Sequence, residues 1–253
     1  MSIEVLVPIA IPALFTLFLV LERMLPTGRT FAWPRGWTLL GYLGLLVSGA
    51  ANALFPLFMV PALQKAQLVN TADLGLWMAL PTSLLTTFFT YWSHRLQHRY
   101  DLLWRLGHQL HHAVARVDIG SAMMFHPIDL LIQIGMTTLA ASLLGVSAEA
   151  AALAGLLNFL IALYQHWNVA TPHWTGYLLQ RPEAHVLHHE RNVHSRNFGD
   201  LALWDMLFGT YANPRMVNVA VGFEPERARR VLAMLLCVDV NQAQFTSERG
   251  RLP

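Results

Sequence analysis

Apolar residues fall in five long blocks separated by short polar stretches. The blocks cover residues 5–21, 36–60, 74–92, 128–144 and 148–165. A helix needs about 20 apolar residues to cross a bilayer, so each block predicts a membrane-spanning helix. The first begins at Glu4 instead of a basic segment, and Leu21-Glu22-Arg23 is no small-residue cleavage site, so it reads as a span and not as a signal peptide. The last two blocks are short and meet at Gly145-Val146-Ser147, which predicts a tight helical hairpin over 128–165. Pro8, Pro12, Pro56 and Pro81 lie inside the blocks, where lipid-embedded helices tolerate them. The expected fold is an all-α integral membrane protein with about four to five transmembrane helices.

Composition supports this. Of 253 residues, 55% are hydrophobic and 13% charged, about half the usual charged share of roughly 25%, and the mean hydropathy is +0.41. A soluble globular domain, a disordered segment and a nucleic-acid binder are excluded. The net charge is +2, and all but one of the 17 basic residues are Arg. With the N-terminus outside, the pieces 22–35, 93–127 and 166–253 face the cytoplasm and hold every Arg, while the outer pieces hold only Lys65. Trp77, Trp92, Trp104, Trp167 and Trp174 lie near span ends, as interfacial aromatics do. Arg227, Arg229 and Arg230 precede an apolar run, so residues 227–238 read either as an amphipathic helix on the membrane face or as an ordinary surface helix. The single cysteine, Cys237, excludes a disulfide framework, a thiolate zinc finger and a cysteine-ligated iron–sulfur cluster.

All 12 histidines lie between His94 and His194. Three runs stand out: His94-x-x-x-His98, His108-x-x-His111-His112 and His185-x-x-His188-His189. Positions i, i+3 and i+4 share one helix face, so the first run is a pair of imidazoles and each triplet is able to present its rings to one point. Imidazole suits zinc, iron, copper and nickel. Eight such ligands exceed what one ion takes, which favours two ions. The runs follow the third and fifth blocks closely, placing a helical, histidine-rich metal cap at the cytoplasmic membrane surface. No His-Glu-x-x-His run supplies zinc-protease chemistry. A metal transporter would place ionisable residues at mid-membrane, where only Asp129 and Glu149 approach; a haem cytochrome would need far fewer histidines.

The order of the three runs resembles the membrane fatty acid hydroxylase/sterol desaturase superfamily. Tyr91-Trp92-Ser93-His94-Arg95, Leu103-Trp104-Arg105, Asn197-Phe198-Gly199 and the segment from Trp204-Asp205 to Thr210-Tyr211 add to the likeness, which covers roughly residues 84–214. The resemblance implies a non-haem centre of two iron ions, replaceable by zinc, with O₂ as co-substrate. It further implies hydroxylation or desaturation of a membrane lipid such as a sterol, sphingolipid or fatty acyl chain. Electrons would come from a separate donor, a reductase with a ferredoxin or a cytochrome, since no flavin, nicotinamide or haem fingerprint is present. It divides the chain into N-terminal spans (1–83), a catalytic domain (84–214) and a cytoplasmic amphipathic tail (215–253).

The metal ligands it implies are His94, His98, His108, His111, His112, His185, His188 and His189, with His166 in Gln165-His166-Trp167-Asn168 as a ninth. Ala170, one turn later, cannot coordinate, so His126 or His173 are candidates to complete the shell and His194 to support it. No catalytic residue beyond the ligands is implied. Among Asp101, Asp118, Asp129, Glu183, Glu190, Asp200 and Asp205, some carboxylates are expected to orient imidazoles, and Asp205 is expected to be buried and fold-supporting.

Overall fold

The computed structural model describes residues 2–25 and 37–240, and among them the regular structure is helical, with only isolated β-bridges besides. Helices α1 (Ile3–Met24), α2 (Trp37–Leu63) and α3 (Ala79–Arg99) come first. Short α4 (Asp101–Leu103) and α5 (Gln109–His112) flank a π-helical turn at Trp104–His108. A hairpin of α6 (Pro127–Leu144) and α7 (Ala148–His166) follows, then α8 (Pro182–His188), α9 (Ala202–Phe208), α10 (Pro225–Ala228) and α11 (Val231–Leu235).

Among the described residues, four helices are long and apolar enough to cross a membrane: Val5–Met24, Thr38–Leu63, Pro127–Leu144 and Ala148–His166. The predicted hairpin has a simple origin. Gly145 closes α6 in the left-handed conformation (φ 55°), which glycine adopts without a Cβ penalty, and the Ser147 side chain accepts from Ala150 N–H to cap α7. The block at 74–92 behaves differently. It starts as a 3₁₀ stretch over Ala72–Met78, interrupted by the positive φ of Gly75, before α3 begins. Thr82, Ser83, Thr86 and Thr87 are buried along α3, and Thr82 and Thr86 donate to the backbone carbonyls four residues back. These hydroxyls lower the apolarity of a helix that is wrapped by neighbours: α1 packs on α7, α7 on α3, α3 on α6 and α6 on α2.

Phe15, Leu19, Leu45, Ile119, Ala122, Met123 and Leu163 form an apolar core that joins α1, α2 and α7 to the loop preceding α6. Glu22, near the end of α1, fixes that loop by accepting from Ile119 N–H at 2.9 Å. The single helix expected over 227–238 is instead two short ones, because Arg230 leaves the helical region (φ −82°, ψ 45°). Met234 of α11 is buried with Trp104, Leu110 and Phe223, so this segment packs on the histidine-bearing α5. Residues 241–253 of the expected tail lie outside the described residues, as does most of the 22–35 piece.

Candidate metal centre

The nine histidines implied by the resemblance come together in two groups. His94, His98, His108, His112 and His188 form one, and His111, His166, His185 and His189 the other; within each, one ring nitrogen per residue lies within 4.8 Å of all the others. The groups adjoin, for the rings of His112 and His189 stack at 4.2 Å. The expectation that each triplet converges on one point is corrected. From the second run, His108 and His112 join the first group and His111 the second. From the third run, His185 and His189 join the second group and His188 the first. In both, the i and i+4 residues stay together and the i+3 residue crosses over. At 3.6 residues per turn, i+4 lies about 40° from i on one side and i+3 about 60° on the other, so a triplet wedged between two centres divides in this way. The π turn ending at His108 sets the angle at which the second run arrives; such turns recur at functional sites.

Hydrogen bonds at Nδ1 fix the orientation of five rings. His94 donates to Phe198 C=O at 2.8 Å, His188 to Arg196 C=O at 2.8 Å and His166 to Ala162 C=O at 2.8 Å. His108 donates to Asp129 Oδ2 at 3.0 Å, and the other carboxylate oxygen accepts from Gln97 at 2.8 Å. His185 donates to Gln180 Oε1 at 2.6 Å, and the Gln180 amide N–H₂ is committed to Asn197 C=O. A neutral imidazole that donates through Nδ1 carries a lone pair at Nε2. All five therefore offer Nε2 as an acceptor.

This tautomer pattern tests whether the residues fit a cation, and they do. His166 Nε2 and His185 Nε2 both carry lone pairs yet lie 3.0 Å apart. Two acceptors at that distance repel unless a positive centre sits beside both. His108 Nε2 is buried without a protein partner. In the same groups His98 Nε2 lies 3.2 Å from His94 Nε2, and His112 Nε2 lies 3.1 Å from His188 Nε2. Burial, reinforced by neighbouring histidines, lowers the pKa of His94 to about 3 and holds His98, His111, His112, His185, His188 and His189 well below the ordinary imidazole value. These seven rings are thus neutral at physiological pH, the form that binds metal.

The remaining histidines stand outside both groups. His126 caps α6 by accepting from Ile128 N–H, and its other nitrogen meets Leu235 C=O at 3.3 Å. His173 donates to Asn213 C=O at 3.1 Å. His194 is buried against the first group, stacked on His98 with ring centroids 5.2 Å apart.

Asp129 orients a histidine, whereas Asp101 pairs with Arg105, Asp118 with Arg116 and Glu183 with Arg181. Asp205 is buried; it accepts from Phe198 N–H at 2.8 Å, Gly199 N–H at 2.9 Å and the Thr210 hydroxyl at 2.6 Å. It thereby fixes the segment whose Phe198 carbonyl holds His94. Asp200 joins α3 to α7, accepting from Thr90 at 3.3 Å and Gln165 at 3.1 Å. Gln180, Gln97 and the backbone carbonyls escaped the sequence reading, because nothing in a sequence marks an amide or a carbonyl as a histidine's partner. Aromatic rings wall the site: Phe125 stacks on His111 at 4.7 Å, and Phe198 packs on His94, His98 and His188.

The sequence model described as Fatty acid hydroxylase matches residues 79–210, just over half of the chain. An ornithine lipid hydroxylase, OlsE, of Rhizobium tropici is 31% identical over 265 residues, covering 96% of this chain and 74% of the relative. The alkylglycerol monooxygenase of Homo sapiens is 30% identical over 144 residues, 53% of this chain and 31% of that enzyme. A Delta(7)-sterol 5(6)-desaturase of Gibberella zeae is 27% identical over 149 residues, 54% of this chain and 43% of that enzyme. No solved structure gives a significant match. The matched segment runs from the start of α3 to the end of the Asp205 bracing, and so takes in all nine clustered histidines; the chain belongs to the fatty acid hydroxylase family.

Proposed function

We propose that this protein hydroxylates a membrane lipid with O₂ at a centre of two iron ions held by His94, His98, His108, His112 and His188 on one side and His111, His166, His185 and His189 on the other. The observation that carries this reading is the convergence of lone-pair-bearing Nε2 atoms in two adjoining groups. Iron bound there supplies activation of O₂ and attack on an unactivated C–H bond, the chemistry that imidazole-ligated non-haem iron is suited to. The chain's own residues do the rest. Asp129, Gln180 and the carbonyls of Ala162, Arg196 and Phe198 hold the imidazoles in one tautomer and one orientation. Phe125 and Phe198 keep bulk water from the rings. Residues 84–214 form the catalytic unit, residues 1–83 the N-terminal spans and 215–253 a tail, within which Phe223 and Met234 pack on Trp104 and Leu110 of that unit.

The arginine distribution supports placing the histidine groups on the cytoplasmic side, within reach of a soluble or membrane-bound electron donor such as a reductase with a ferredoxin or cytochrome. The groups begin at the ends of α3 and α7, so a long apolar substrate needs only to raise one segment out of the bilayer. Hydroxylation is favoured over desaturation because the relatives of higher identity are named as a hydroxylase and a monooxygenase. The test is to supply iron-loaded, reduced protein in vesicles with lipids of several classes and ¹⁸O₂. One labelled oxygen atom in a lipid product supports hydroxylation, and an unlabelled alkene supports desaturation. Transport of metal across the vesicle with no lipid oxidised would overturn the enzyme reading.

A further inference from the structure

Helix α9 is built inside out for a surface that faces water. Its one charged residue, Asp205, is buried, while Leu203, Met206 and Leu207 lie on the opposite face and are exposed, Leu207 by 63%. Spacing of i, i+3 and i+4 makes these three a single apolar stripe. The inward acid is fully engaged by Phe198 N–H, Gly199 N–H and the Thr210 hydroxyl, so the orientation is locked.

A second apolar group continues the stripe. Trp174 in the short turn His173–Tyr177 is 63% exposed and Leu178, just after it, 62%. Leu178 C=O accepts from Ala202 N–H at 3.2 Å, and Leu179 pairs with Leu201, so this turn lies directly beside the start of α9.

The depth of α9 follows from its docking on α3. Trp204 donates to Thr87 Oγ1 at 3.0 Å and packs edge-on against Phe88. Ser83 meets Asn158 at 2.6 Å, and Asp200 links Thr90 to Gln165. Thr87 lies between these two levels, so α9 sits alongside the final turns of Ala148–His166, a helix apolar enough to cross a membrane. A seven-residue helix cannot span a bilayer. Its apolar stripe is nonetheless at the level of a span, and Leu84, one turn before Phe88 on α3, is exposed as well.

We propose that α9 and the turn His173–Tyr177 form an in-plane membrane anchor, immersed among the lipids of the leaflet on the side of the histidine groups. Because the proposal rests on the membrane reading above, it commits to lipid as the occupant of this face. Leucine and methionine on α9 would reach the acyl region while Trp174 and Tyr177 sit at its boundary, as amphipathic aromatics do. The segment that braces Phe198, and through it His94, would then be positioned by the bilayer as well as by the protein.

The test uses the full chain in phosphatidylcholine–phosphatidylglycerol vesicles, with Cys237→Ser removing the one native thiol. Single cysteines at Leu207→Cys, Leu178→Cys, Leu46→Cys and Met216→Cys carry a nitroxide. Its collisions with oxygen, which partitions into lipid, are compared with those of a water-soluble nickel chelate. Leu46, 70% exposed on α2, reports on the spans; Met216, 89% exposed beside Arg215, reports on water. The expected result is oxygen-dominated collision at positions 46, 178 and 207 and chelate-dominated collision at 216. Chelate access at 178 and 207 with lipid exposure at 46 overturns the anchor and leaves the membrane reading standing. Chelate access at 46 overturns both. Shielding of 207 from both reagents means that protein covers the face, and also overturns the anchor. The unsubstituted chain gives an independent check: an acyl-chain diazirine lipid should label residues 203–207 as it labels α1, and labelling of α1 alone counts against the proposal.

Discussion

The two histidine groups use the same donor chemistry but are supported differently. The first takes pairs from α3 and from the π turn and α5, plus the single crossing residue His188. Its orienting partners are two backbone carbonyls and the carboxylate of Asp129. The second takes His185 from α8 and His189 just after its end, the crossing residue His111, and His166 from the last turn of a helix long and apolar enough to span a membrane. Its orienting partners are a backbone carbonyl and the Gln180 amide, both neutral. A carboxylate behind an imidazole makes that ligand more basic and offsets part of an ion's charge. Five ligands also leave less of an ion's coordination sphere to other molecules than four do. With ions bound as proposed, the first group would be the tighter holder and the second the more open of the two.

The strongest way to break this comparison is to delete a crossing residue. His188→Ala and His111→Ala each remove the one histidine of its run that crosses to its group. Activity should fall to background in both with membrane insertion retained; His111→Ala, which leaves three histidines in its group, should take metal from two ions to one per chain, while His188→Ala, which leaves four, should hold its ion more weakly. Loss of both ions from either variant would mean that the groups are one site. His166→Ala should behave in the same way toward the second group.

The orienting partners give a graded test. Asp129→Asn should cost about 10–100-fold in metal affinity, the range for a carboxylate behind a metal-bound histidine, with the weaker ion released first by a competing chelator. Gln180→Leu should cost less, near the lower end of about 10–100-fold, and should act on the second group. If Asp129→Asn left the affinity of both ions unchanged, the asymmetry between the groups would fail.

A smaller effect concerns acid. In the metal-free protein His94, His98, His111, His112, His185, His188 and His189 are neutral when folded, whereas in the unfolded chain they bind protons near the ordinary histidine pKa of about 6.5. Below that pH the unfolded state binds more protons, so the stability contributed by the neutral rings is complete above about 6.5 and falls as the pH drops. The loss continues toward the folded-state value of about 3 for His94. Thermal melts of the metal-free protein in vesicles should therefore move down steadily below pH 6.5. Smallest of all should be His126→Ala and His173→Ala, whose rings bond Leu235 and Asn213 backbone outside both groups; activity should stay within a few-fold of the parent, by the usual cost of one hydrogen bond, about 1 kcal/mol.

Much of the fold is legible in the sequence because lipid-facing helices advertise themselves by hydropathy alone. The α6–α7 turn is equally plain, since Gly145 and Ser147 carry the chemistry of a helix end and a helix start. The block at 74–92 is less so: its apolar length conceals a 3₁₀ start at Gly75 and a threonine-lined inner face that only packing against α6 and α7 explains. At the site, the histidine runs announce a metal centre, but the split of each triplet depends on how helices from distant segments wedge together. Gln180 and the carbonyls of Ala162, Arg196 and Phe198 leave no trace in the sequence, because their partners are chosen by tertiary approach. Asp205 is the opposite case, an acid in an apolar helix whose burial follows from its setting.

The claim on which everything else rests is that nine histidines hold two ions, not one. Metal analysis of purified, iron-loaded protein, paired with X-ray absorption at the iron edge, tests it most directly. Two ions per chain are expected, each bound mainly by nitrogen at about 2.0–2.2 Å, close to the range known for imidazole on zinc. One ion per chain in fully active protein, or a shell dominated by oxygen or sulfur, would contradict it.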